Sequence, residues 1–132
     1  MILVSACLLG LKTRYDMEIK KDAKLITALE GTAFIPICPE QLGGLPTPRK
    51  AARLHGGDGR AVLIGRATVI NEAGMDVTEH FVKGAQECLK IARMAYAKLA
   101  YLKAKSPSCG ITPHLGVTAA LFLQNGIKVI EV

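Results

Sequence analysis

The chain has 132 residues, half of them hydrophobic and 21% charged, and 17 Lys and Arg against 11 Asp and Glu give it a formal charge of +6. That length suits one domain of roughly 100–150 residues, so 1–132 reads as a single unit. The apolar content excludes a disordered tail. No apolar run approaches the roughly 20 residues of a membrane helix, and 4 Cys are too few for a disulfide-dense secreted miniprotein.

In chain order, Met1 to Cys7 superficially resembles a lipoprotein cleavage site. It lacks a basic start and the roughly 7–15 apolar residues of a signal. A cytoplasmic location, where thiols stay reduced, is therefore expected. Ile2–Ser5 is short and apolar and predicts a buried strand running towards Cys7 and Gly10. Lys20–Leu29 predicts a helix with Ala23, Ile26 and Leu29 on one face, stopped by Gly31. Phe34–Ile37 predicts a second buried strand, ended by Cys38-Pro39.

Between Pro39 and Gly59, the Gly and Pro residues at 39, 43, 44, 46, 48, 56 and 57 predict one long irregular loop. Ordered loops of that length are more often functional than idle. Ala61–Ile64 and Ala67–Ile70 flank Gly65-Arg66 and predict a β-hairpin, with Gly56 to Gly59 as the turn before it. Thr78 is the expected N-cap of a helix from Glu79 to about Tyr96. Leu99–Leu102 predicts a third buried strand, Val117–Leu123 a short apolar helix closed by Asn125-Gly126, and Ile127–Ile130 a last strand. Strands alternating with helices define an α/β fold. The expected architecture is a mostly parallel, Rossmann-like sheet flanked by helices, with the small hairpin as an insertion.

Cys7, Cys38 and Cys109 each fall within a few residues of the carboxyl end of a predicted strand, and each is followed closely by Gly or Pro. Parallel strands place those ends on one edge of the sheet, where open α/β folds build their sites. Three thiolates suit zinc with a fourth ligand, or an iron–sulfur cluster with one iron not held by cysteine. The absence of Cys-x-x-Cys knuckles favours the cluster, while buried small hydrophobes remain the bland alternative. Cys88 lies mid-helix among Phe81, Ala85, Leu89 and Ala92 and reads as a core thiol.

Several blocks carry a resemblance that spans the chain. They are Ser5-Ala-Cys7-Leu-Leu-Gly10, Arg14-Tyr-Asp16, Pro36-Ile-Cys38-Pro-Glu40 running on to Arg49, Gly56 to Gly59, Asp76 to Glu79, Lys105-Ser-Pro-Ser-Cys109-Gly110 and Gly116-Val-Thr-Ala-Ala120. Together they resemble the thiouracil desulfidase family. The resemblance implies a [4Fe-4S] cluster on Cys7, Cys38 and Cys109, with the fourth iron open to substrate sulfur. It also implies hydrolysis of the C=S group of thiouracil, or of a related thiolated base, to C=O with release of sulfide. Met17 replaces the usual Gly after Arg-Tyr-Asp, Thr13 stands where some relatives carry Cys, and only Ile111–Leu115 separates the last two blocks, where relatives carry a longer loop.

For that chemistry Glu40, two residues from Cys38, is the candidate general base. A turn-capping role is its alternative. The resemblance points to Ser106 as proton relay or substrate contact, with Ser108 beside it; both could instead stabilise a turn. Arg14, Asp16 and Arg49 are loop charges near predicted strand ends and candidate substrate-binding residues; an arginine there could orient a pyrimidine carbonyl by its donors or simply pair with a carboxylate. His55, His80 and His114 have no ligand-like spacing. The basic residues are scattered and aromatics make up only 5%, so a solvated surface is preferred to a nucleic-acid site. A free thiolated base is the expected small-molecule partner, with a base inside tRNA as a second form. The competing functions are a non-catalytic metal or cluster carrier and an RNA-binding module with structural zinc.

Overall fold

A computed structural model describes residues 1–132. Four short strands, β1 (Ile2–Ser5), β2 (Phe34–Ile37), β5 (Leu99–Leu102) and β6 (Lys128–Glu131), form one sheet in the order β2-β1-β5-β6. Every pairing in it is parallel, with Ser5 opposite Ile37, Val4 opposite Tyr101 and Leu102 opposite Glu131. The central strands are apolar on both faces because helices cover both. Leu3, Val4, Ala100 and Leu102 are fully buried.

The connecting elements are α1 (Ala23–Ala28), α2 (Pro39–Leu42), β3 (Ala52–His55), α3 (Gly59–Leu63), β4 (Thr68–Asn71), α4 (Thr78–Met94) and α5 (Val117–Gln124). A 3-10 turn over Ala6–Leu9 follows β1 directly. The expected α/β architecture with a mostly parallel sheet is present. Three of its four predicted strands fall on the observed residues, and the last starts one residue late.

The hairpin is the main correction. Ala61–Leu63 lie in α3, not in a strand, because Asp58 caps that helix by accepting the Ala61 N–H at 3.1 Å. Gly65, at φ 77°, follows the end of α3 rather than turning a hairpin. The antiparallel partner of β4 is β3, with Ala52 opposite Asn71 and His55 opposite Thr68. The Gly- and Pro-rich stretch is therefore not irregular throughout. Pro39 starts α2, where a missing N–H is no loss, and β3 lies inside the stretch.

Other boundaries moved for local reasons. Asp22 accepts from Leu25 N at 2.9 Å, so α1 begins after it rather than at Lys20. Thr78 is the first residue of α4 rather than its cap: its hydroxyl accepts from Val69 N, while Asp76 accepts from Thr78 N. Two glycines bring α2 against α4. A Cβ at Gly84 would overlap the Pro39 carbonyl, and one at Gly43 would overlap that of His80. This close approach holds α2, and with it Glu40, in place beside the sheet edge. Cys88 is fully buried in the main core with Leu3, Leu89 and Phe122, as a core thiol should be.

Candidate metal centre and active site

Strand order decides where the cysteines meet. Cys7 follows β1 within the 3-10 turn, Cys38 is the residue directly after β2, and Cys109 lies in the loop after β5. Those three strands are neighbours in the sheet, so all three thiols come off one carboxyl edge. They line one cavity of about 430 Å³. Of the other predicted site residues, Arg14, Glu40, Arg49, Ser106 and Ser108 line it as well. Asp16 does not; it stands behind Arg14, accepting from Nε at 3.0 Å and Nη2 at 2.9 Å. Tyr15, Lys103 and Lys105 also line the cavity; the sequence alone assigns them no role, although Tyr15 and Lys105 fall within the blocks that carry the resemblance.

Glu40 is the first-turn acid of α2 and is tied at both oxygens. Oε1 accepts from Arg49 Nε at 2.9 Å and Oε2 accepts from Ser108 Oγ at 3.1 Å. Ser106 Oγ accepts the backbone N–H groups of Ser108 and Cys109 at 3.2 and 3.1 Å. It lies 3.0 Å from Ser108 Oγ. Because the proton of Ser108 is directed to Glu40, Ser106 supplies its own proton to Ser108. The result is a chain of hydroxyls, Ser106 to Ser108 to Glu40, running along the cavity wall.

Arg49 is a hydrogen-bonding hub beside Glu40, its side chain only 6% exposed. Besides Glu40 it donates to Thr47 Oγ1, to the Pro46 carbonyl and to the Thr13 carbonyl. Its backbone N–H donates to the Tyr15 carbonyl at 2.9 Å. Arg49 thus orients Glu40 and anchors the loop that carries Arg14 and Tyr15, and most of its donors are committed to the protein.

The thiols are neutral in this setting. Burial pushes Cys109 up to about 12, and also raises Cys7 and Cys38, with the neighbouring Cys38 sulfur adding to the effect on Cys7. A soft metal bound here would displace those protons, as metal–thiolate sites do. No three His, Cys, Asp or Glu side chains converge closely enough for a single ion. Thiols spread around a shared cavity instead match the donor set of a cluster, in which each cysteine holds a different iron. The residues present fit such a group.

The parallel sheet, the three thiols on its carboxyl edge and the carboxylate beside them define an α/β protein with a candidate metal-binding site. The 2-thiouracil desulfurase family model matches residues 2–132, so the chain belongs to that family. The chain is 40% identical over 144 aligned residues to an uncharacterised protein, YbbK, of Bacillus subtilis strain 168, a match covering 99% of this chain and 95% of the relative. It is also similar to the solved structure of a [4Fe-4S]-dependent thiouracil desulfidase, TudS, with a TM-score of 0.80 and 36% identity. That likeness covers 98% of this chain and 89% of the other.

Proposed function

We propose that this protein is a [4Fe-4S]-dependent desulfidase that exchanges the sulfur of thiouracil, or of a related thiolated pyrimidine, for oxygen. The observation that carries the reading is the three-thiol cavity with Glu40 on its wall. Cys7, Cys38 and Cys109 would hold the cluster. When bound, it supplies an open iron, a soft Lewis acid suited to thiocarbonyl sulfur.

The remaining chemistry belongs to the chain. One C=S bond is broken and one C=O bond formed at the expense of one water, giving uracil and hydrogen sulfide without a change in the substrate's overall electron count. Glu40 accepts the proton of the attacking water, and Arg49 and Ser108 hold its two oxygens in a fixed orientation. Ser106 and Ser108 form the path by which a proton moves along the wall towards the departing sulfur or the ring. Arg14 lines the cavity and is held by Asp16 through Nε and Nη2.

The direct test is an anaerobic assay of sulfide release from 2-thiouracil and 4-thiouracil by the cluster-loaded chain. Sulfide and uracil in equal amounts support the reading. Binding without sulfide release would leave a cluster carrier instead.

A further inference from the structure

The rim of the cavity carries one aromatic side chain, Tyr15, and no other aromatic residue lines the cavity. The residue is 41% exposed although its backbone is pinned, the carbonyl accepting from Arg49 N at 2.9 Å. The Arg14 guanidinium lies over the ring, 5.5 Å from its centroid. Arg14 is itself clamped by the paired hydrogen bonds to Asp16, and Asp16 is fixed in turn by accepting from Glu18 N at 3.0 Å. The Asp16 carboxyl is held down at about 2, chiefly by the bond from Arg14, so the clamp persists throughout the neutral range.

We propose that Tyr15 is the platform on which the pyrimidine ring of the substrate stacks, with Arg14 and Asp16 as its buttress. The inference rests on the desulfidase reading and extends it to how the base is held. A thiolated pyrimidine is a flat π-system whose edge carries its polar atoms. Glu40, Ser106 and Ser108 can serve the edge, but none of them can cover a face. Tyr15 offers a face that needs no ordering on binding, because the guanidinium already occupies one side of the ring and the backbone is tied to Arg49. In this arrangement Asp16 needs no contact with substrate, which accounts for its place behind the cavity wall.

The test combines kinetics with a binding signal. In the cluster-loaded full-length chain, Tyr15→Phe should retain the wild-type KM for 4-thiouracil. Tyr15→Leu should raise it about tenfold with kcat little changed, the size expected of one base–aromatic stack. Because the chain contains no Trp, Tyr15→Trp introduces a single indole at the rim. Its emission should change saturably on titration with uracil, which is not turned over. Tyr96→Trp, at a residue 84% exposed and absent from the cavity lining, should show no such change. An active wild type combined with an unchanged KM for Tyr15→Leu and a silent indole at position 15 would overturn the platform alone. A wild type that releases no sulfide would overturn the desulfidase reading and this inference with it.

Discussion

Ser108 donates to Glu40 Oε2 at 3.1 Å across a sequence separation of 68 residues, joining the loop that carries Cys109 to the helix that follows Cys38. Two of the three thiols are thereby fixed relative to one carboxylate, and the geometry of the site depends on that bond as much as on the sheet.

Glu40→Gln keeps the side chain's size and one acceptor oxygen for Arg49, but it removes the base and the acceptor that Ser108 uses. Sulfide release should fall by about 10²-fold or more, the lower end of what a positioned general base contributes. Iron content should stay at the wild-type level, since Glu40 is not needed to hold the cluster. Parallel iron and sulfide assays on the same preparation separate the two effects.

The two serines should behave differently. Ser106→Ala leaves the N–H groups of Ser108 and Cys109 without their acceptor. It should cost about 2 kcal/mol, visible in thermal unfolding, together with activity. Ser108→Ala keeps those N–H bonds but removes the hydroxyl that links Ser106 to Glu40 and ties the Cys109 loop to α2. A drop in rate of about tenfold with a smaller loss of stability is expected.

Arg49→Lys tests the hub. A lysine ammonium cannot reproduce a planar fork that reaches Glu40, Thr47, Pro46 and Thr13 together. Stability should fall by about 1.5–3 kcal/mol, and activity should fall with it because Glu40 and the Tyr15 loop lose their common anchor. Denaturant titration of the metal-free chain reads the first effect without the second.

Glu131, at the end of β6, accepts from Ile111 N, Thr112 N and Thr112 Oγ1, and so ties down the chain directly after Cys109-Gly110. Cys109 is only 4% exposed. Glu131→Ala should make Cys109 alkylate severalfold faster while Cys88 stays unreactive; equal acceleration at both would mean general loosening instead. Mass spectrometry of the modified peptides distinguishes them.

Thiol reactivity also carries a pH signature. Burial raises the three cavity thiols, so each is protonated at neutral pH and gains thiolate as pH rises. Alkylation of Cys7 and Cys38 in the metal-free chain should therefore climb by nearly tenfold per pH unit between about pH 7 and 8. Cys109, pushed up to about 12, should lag behind both.

Much of this site was legible in the sequence because its signals are local. Ile2–Ser5 and Phe34–Ile37 are short β-branched runs ended by Cys-containing turns, and parallel pairing then brings their ends together. What failed was a short segment with two readings. Ala61–Ile64 alternates poorly and fits one helical turn as well as one strand, and only the Asp58 cap, three residues upstream, breaks the tie. β3 was hidden because Ala52–His55 finds its partner on the far side of α3 rather than across a tight turn. Pairing of the loop arginines with carboxylates was readable as an alternative, and Arg14 does pair with Asp16 two residues on; which carboxylate Arg49 takes was not readable, because Glu40 lies nine residues away across a loop.

The central claim is that Cys7, Cys38 and Cys109 together hold one four-iron cluster. Anaerobic reconstitution followed by iron and sulfide analysis of the wild type, Cys88→Ala and Cys109→Ala tests it most directly. The account predicts about four irons per chain for the wild type and Cys88→Ala, and a large loss of iron with Cys109→Ala. An iron-free wild type, or a Cys109→Ala chain that keeps its full complement of iron, would contradict it.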